Sequence, residues 1–485
     1  MTLLEQCQIW HENNEFQKII AEIEALPSEE RTPELDSELA RAYNNTAGAG
    51  DRAYFEKAIG LLSPHADYFA GDHLWNFRMG YAYYYLDRED RALPYFEAAL
   101  AALPGDADTK SMIAYCHKDL SLPLFQRPFR IRVQEAWAAF ENIEAELRAL
   151  MDAGSEHGEE LIERCSSALH IAFDDVSFEL GKGGEKYELI LTPEGERCKL
   201  FALVYFAHQA PDSVLEHWNI RAGRAASAGF ALRAKEDSVE AKDVTVYYER
   251  AEESEVTLTL YCKKLLPLLQ RDENRVWWML TLLLDQTLGE IAAMRLLHDL
   301  DIVDTPQEGA SVTLRDLPDA LRAEGLSLAN DAEEYLDNAY LAYEREPDTG
   351  AELTWRDDIY TGLIRLPSAI STYLSGDPKL VDDYHADGIV AGFIAYPLMG
   401  ALDGDAQAIL DFRDDLITAV TKATDGDAFC LLGAATGTEV GYLDFLAWDA
   451  QTVLDAAKAH LEQSELPWAV FHSFRRDAQP VTLFD

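Results

Sequence analysis

The apolar period of this chain is helical throughout its first third and then gives way to strand-like segments, and that first change constrains the fold more than any other feature. Up to about residue 150, small and aromatic residues recur at helical steps. From about Asp174 segments appear in which they recur at steps of two, the mark of strands with one buried face. The expected fold class is therefore α+β and multidomain: an all-α helical array first, then two α+β domains with mainly antiparallel sheets. The boundaries expected are 1–122 for the array, 123–154 for a connecting amphipathic helix, 155–325 for the first α+β domain and 326–485 for the second.

Within DHLWNFRMGYAYYYLDREDRALPYFEAALAALPGD, Gly80, Tyr83, Ala92, Phe96, Ala99 and Pro104 fall at 0, +3, +12, +16, +19 and +24. Small residues at such steps let two helices approach closely, aromatics fill the groove between them, and proline ends the second. A second copy lies upstream, with Ala40 and Tyr43 three apart and Ala58 34 residues before Ala92. A third, degenerate copy opens the chain, where Leu26-Pro27 matches Leu103-Pro104. The helix around Ser111 to Asp119 would cap the array. This first quarter resembles the tetratricopeptide (TPR) repeat family, with its signature tryptophan one place early, at Trp75. The resemblance implies a groove that binds a peptide of a protein partner, with Arg78, Tyr81, Tyr84 and Tyr85 near the first helix of the best repeat to line it.

After Pro123 and Pro128, the run Val133, Trp137, Phe140, Glu144, Leu147, Met151 reads as an amphipathic helix that seals the array. SFEL, the turn GKGGEK and KYELILT read as a hairpin, with Tyr187, Leu189 and Leu191 on one face; CKLFALVYF reads as a further strand. A second hairpin spans Val244 to Cys262, its acidic tip at Arg250 to Ser254. A long helix, about Asn274 to Leu300, would cover this sheet. Beyond the acidic stretch Asp331 to Asp358, strand and helix segments alternate in an order that suggests a duplicated ferredoxin-like sandwich. Residues 130–485 resemble bacterial cytosolic α+β domains of unassigned activity, so no catalytic residue is carried over.

Charge narrows the partners. The 485 residues hold 87 Asp and Glu against 41 Lys and Arg, a net charge of −46. A field of that sign repels nucleic-acid phosphates and anionic lipid and draws basic partners. The same excess is also what a salt-adapted proteome would carry. Six cysteines stand too far apart for zinc-ribbon spacing, and MTLLEQCQIW lacks a basic n-region and an apolar h-region. The longest uncharged run, Gly388 to Leu402, is too short to cross a membrane and is broken by Pro397. Cytoplasmic residence, with reduced thiols, is expected.

No sequence motif announces a reaction or a cofactor. Gly181 to Lys186 lacks phosphate-loop spacing and reads as a hairpin turn. Gly433, Gly437 and Gly441, four apart, would let a ligand or another backbone come close, and Asp449 is placed to cap a helix. The histidines form no metal-ligand spacing. The expected function is that of a non-enzymatic adaptor or inhibitor, with an acidic surface steering a basic protein partner. An immunity-type inhibitor of a toxin is its sharpest form. The alternative is an enzyme whose dispersed site joins His385, Glu439, Asp444 and His472 in the C-terminal domain. That alternative requires the four to share one pocket.

Overall fold

The computed structural model describes residues 2–48, 50–154, 157–227, 231–234, 237–251, 254–348 and 354–485. Parts of the acidic stretch and of the 250–254 hairpin tip lie outside the described residues. The contacts fall into two compact units, Met1–Ile131 with Ala342–Asp485, and Arg132–Leu341.

The first unit opens with seven helices. They are α1 (Leu3–Glu12), α2 (Phe16–Glu24), α3 (Pro33–Thr46), α4 (Arg52–Leu62), α5 (His73–Tyr84), α6 (Glu89–Ala102) and α7 (Ala107–Ser121). Acidic side chains serve as caps: Asp72 accepts the Trp75 N–H at 2.7 Å and Asp106 that of Thr109 at 2.7 Å. Gly80 matters for packing, since a β-carbon there would meet the Phe96 ring at 2.9 Å. Contacts recur at a 34-residue offset: Asn44 donates to the Arg78 carbonyl and Arg52 to the Leu86 carbonyl, at 3.1 Å each.

The second unit begins in α8 (Phe129–Ala153), followed by α9 (Gly158–Leu169). The expected apolar face of α8 is buried within this unit, where Trp137 stacks on Phe206 at 4.5 Å and Phe140 meets Trp218 edge-on. Strands β1 (Ser177–Gly183) and β2 (Lys186–Thr192) form the expected hairpin. Next come α10 (Arg197–His208), α11 (Asp212–Leu215) and β3 (Trp218–Ala222), which pairs parallel to β2. The expected strand CKLFALVYF is thus the helix α10. Its unbroken apolar run fits a helix buried on most sides as well as a strand, and Leu200, Phe201, Leu203 and Phe206 are all buried.

A two-stranded sheet, β4 (Ala231–Ala234) and β5 (Asp237–Glu240), precedes the hairpin β6 (Thr245–Arg250) and β7 (Val256–Tyr261). The short α12 (Leu266–Leu269) leads to α13 (Glu273–Leu288), α14 (Glu290–Leu296) and β8 (Leu297–Val303). The expected single helix to Leu300 therefore ends early, because Gly289 takes φ +90° and turns the chain. β9 (Val312–Thr313), α15 (Leu317–Ala323) and α16 (Ala332–Asn338) complete the unit. The sheet order is β8-β7-β6-β9, with β8 parallel to β7. Val246, Val256, Leu258 and Leu260 pack beneath Met279, Leu280, Leu283 and Leu284 of α13.

The first unit resumes with β10 (Leu341–Glu344), β11 (Ile359–Ile364), α17 (Pro367–Ser375) and α18 (Lys379–Asp387). Then follow β12 (Val390–Pro397), α19 (Ala406–Ala423), β13 (Phe429–Gly437) and β14 (Val440–Ala447). Last are α20 (Ala450–Leu461), β15 (Ala469–Ser473) and β16 (Val481–Phe484). One sheet takes them all, in the order β10-β11-β13-β14-β12-β15-β16. β12 and β13 flank β14, both antiparallel to it, and α19 joins them; β14 and β15 flank β12 in the same way, joined by α20. That is one ferredoxin-like βαββαβ unit, where a duplication was expected. The strand and helix at Ile359–Ser375 mimic half of a second copy, but β11 extends the same sheet beside β13.

Helices α19 and α20 cover one face of this sheet, over Ile394, Tyr396, Leu443, Phe445 and Phe471. Among the described residues, no helix is long and apolar enough to cross a membrane. Cys7, Cys116, Cys165 and Cys262 are buried.

Candidate functional site

A groove of about 850 Å³ lies in the first unit where the helical array ends. Tyr84 and Tyr85 come from the end of α5, Glu89 from the start of α6 and Asp119 from the end of α7. The segment Leu122-Pro123-Leu124-Phe125, which leaves α7, adds an apolar wall. Its backbone is fixed where the Gln479 N–H meets the Ser121 hydroxyl at 2.9 Å, and Ser121 in turn donates to the His117 carbonyl at 2.7 Å.

The acids of this groove are held in place. The Tyr84 hydroxyl donates to the Asp119 carboxylate at 2.8 Å. Burial pushes the Asp119 carboxyl above its usual range; the Tyr84 bond opposes this and the Glu89 charge adds to it. Burial and then Asp119 raise the Tyr84 phenol. Glu89 is 8% exposed and pairs with His385 Nε2 at 2.7 Å, while Phe125 packs edge-on against that imidazole at 4.7 Å. Tyr85 stays 38% exposed and stacks on Phe55 at 5.3 Å.

Of the four residues expected to line a groove, Tyr84 and Tyr85 do so. Tyr81 is half-buried, its ring 4.6 Å from Tyr85. Arg78 is buried and donates to the Ser37 carbonyl at 3.0 Å and to Glu38 at 2.7 Å. It lies on the side of α5 that carries Trp75, Met79 and Ala82 into the core.

The four dispersed candidates occupy three places. Asp444 and His472 share one buried row across the sheet, because both register with Phe393 of β12. Asp444 takes two bonds from the Arg356 guanidinium, at 2.5 and 3.2 Å, and both residues are fully buried. His472 stacks on Phe393 at 5.2 Å with Nδ1 2.6 Å from the Ser473 carbonyl, and burial lowers its pKa. His385 sits apart with Glu89, and Glu439 is exposed in the β13–β14 turn. Asp444 and His472 are thus brought into one row, His385 is engaged by Glu89 instead, and the Glu439 side chain has no hydrogen bond to any of the other three among the described residues.

Arg356 and Asp358 were not singled out from the sequence, yet they organise the buried row. Asp358 accepts the Tyr442 hydroxyl at 2.5 Å and the Val440 N–H at 3.1 Å. Arg356 adopts φ +73°, strained for a side chain of its size, and its N–H donates to the Tyr442 hydroxyl at 3.0 Å. One signal was present: it is one of two arginines among ten acids in Asp331 to Asp358. The three glycines serve protein contacts: a β-carbon would overlap the Leu363 carbonyl at Gly433, the Asp358 carboxylate at Gly437 and the Tyr396 ring at Gly441. Asp449 caps α20 as expected, accepting the Thr452 N–H at 3.3 Å. Among the described residues, no group of three or more His, Cys, Asp or Glu is placed to hold a metal ion.

Comparison of the chain with family models, curated proteins and solved structures gives no match.

Proposed function

We propose that this chain is a non-enzymatic binding protein that holds a segment of a basic protein partner in the groove at Tyr84, Tyr85 and Phe125. The observation that carries the reading is the groove's lining: aromatic and aliphatic walls together with three acids, Asp87, Glu89 and Asp119, against one lysine, Lys118. A lysine or arginine side chain suits such a site, since its aliphatic stem packs on the aromatics while its charge meets the acids. Recurrent contacts at 34 residues and the Gly80–Phe96 approach support reading the array as TPR-like. The net charge of −46 would steer a basic partner over long range. An inhibitor that covers a basic toxin is the form in which both features act together.

The test is capture of partner from host lysate at low salt by the full chain, beside the same chain carrying Tyr85→Ala and Leu124→Asp. The reading predicts one stoichiometric basic protein, released by raised salt and lost from the groove variant. A partner held equally by both chains, or one indifferent to salt, overturns it.

A further inference from the structure

The unit Arg132–Leu341 contains a separate cavity of about 470 Å³, within the range of small-molecule sites. Along α13, Trp278, Thr281, Leu282 and Asp285 recur at steps of three, one and three, so one helix face forms a wall of it. Trp278 is 50% exposed there. Met294 and Leu297 extend the apolar lining, and Glu194, Arg197, Arg224 and Tyr335 bring polar groups.

Charge accounting separates the used groups from the unused ones. Arg224 is saturated: Nε meets Glu179 at 2.6 Å, Nη2 meets Glu194 at 2.8 Å and Nη1 meets the buried Glu290 at 3.3 Å. Arg197 is different. Its Nε and Nη2 both donate to the Tyr335 hydroxyl, at 2.9 and 2.5 Å, and among the described residues no carboxylate pairs with it. In a chain with twice as many acids as bases, an arginine left without one is unexpected. Asp285 is its complement: half-buried, beside Glu290, and without a hydrogen bond or ion pair to its side chain among the described residues. The cavity thus presents one unspent cation, one unspent anion and an apolar surface.

We propose that this cavity binds a free α-amino acid with an apolar side chain, Arg197 taking the carboxylate, Asp285 the ammonium, and Trp278, Leu282 and Met294 the side chain. A guanidinium fork matches a carboxylate with two parallel bonds. A simple anion would face Asp285 and Glu194, and a simple cation would leave Arg197 unpaired, so a zwitterion satisfies what neither does. Burial and then the Glu290 charge push the Asp285 carboxyl up to about 7, with Arg224 opposing; an ammonium beside it would favour the charged form.

Titration calorimetry of the full chain tests this with L-phenylalanine and L-leucine, and with phenethylamine and 3-phenylpropionate as analogues lacking one charge. At least one amino acid is expected to bind, with both one-charge analogues at least about tenfold weaker. Arg197→Gln and Asp285→Asn are each expected to weaken that binding by at least about tenfold, roughly one charged hydrogen-bond pair. Asp285→Asn removes an unpaired acid and is expected to keep or raise the unfolding midpoint, so lost binding there cannot be lost folding. No heat from either amino acid at 10 mM, equal binding of an analogue, or unchanged affinity in both variants overturns the proposal.

Discussion

Asp358 sets its carboxylate where a β-carbon on Gly437 would stand. The glycine is thus what lets that carboxylate reach the Val440 N–H and the Tyr442 hydroxyl together. Gly437→Ala is expected to cost about 1–3 kcal/mol, the usual penalty for forcing extra volume into a packed site. Urea denaturation of the variant beside the parent measures it. A neutral result would mean that Asp358 moves away freely and the network is loose.

The Arg356–Asp444 pair carries a larger stake, because neither residue has any exposed surface. Removing one partner strands the other charge away from water. Asp444→Ala is expected to lose about 3–5 kcal/mol. The double change Arg356→Met with Asp444→Leu is expected to recover most of that loss, since an apolar pair needs no desolvation of charge. Urea melts of the two variants beside the parent decide whether the pair acts as a unit.

Asp285 supplies a pH test. Burial, then Glu290, hold its carboxyl at about 7, against about 4 for an unfolded aspartate. The folded state therefore keeps the proton more tightly, and this side chain makes stability fall as pH rises from about 4 to about 7. Glu290, Glu194 and Arg224 are the charged neighbours that set the shift. Asp285→Asn is expected to be more stable than the parent at pH 8, by about 1–3 kcal/mol, with the gap closing toward pH 4. A variant less stable than the parent at pH 8 would mean that the carboxylate has a partner.

Tyr85→Ala separates fold from groove. The ring is partly exposed and stacks on Phe55, so the loss in stability is expected to stay below about 1.5 kcal/mol. Partner affinity is expected to fall at least about tenfold, as for an aromatic anchor. Thermal melting and a binding isotherm on the same sample read the two effects.

What was legible in the sequence was local. The hairpin of β6 and β7 follows from strict alternation around Val246, Leu258 and Leu260, and the Asp449 cap needs only its neighbour Thr452. Repeat spacing put Tyr84 and Tyr85 near α5, but not the segment Leu122–Phe125 or Gln479 that make a groove beside them. Arg78 was misplaced because spacing gives a helix its period but not which side meets the next helix. CKLFALVYF could not be resolved by periodicity, since the run Leu200–Phe206 is apolar throughout and has none. The joining of His385 to Glu89, 296 residues apart, and of Arg356 to Asp444, 88 apart, depends on pairings that no window of sequence contains.

The first unit is interrupted in the chain: its helices occupy Met1–Ile131 and its large sheet Ala342–Asp485. During synthesis the two halves emerge with the whole second unit between them. At about 5–20 residues per second, the opening helices wait on the order of ten to forty seconds before the first strand of their sheet begins to emerge. Glu89 spends that interval without its histidine, and the apolar segment at Leu122–Phe125 without its cover. The intervening unit has all of its own strands in hand before the first one does, so the order of completion along the ribosome is the reverse of the order in which folding can begin.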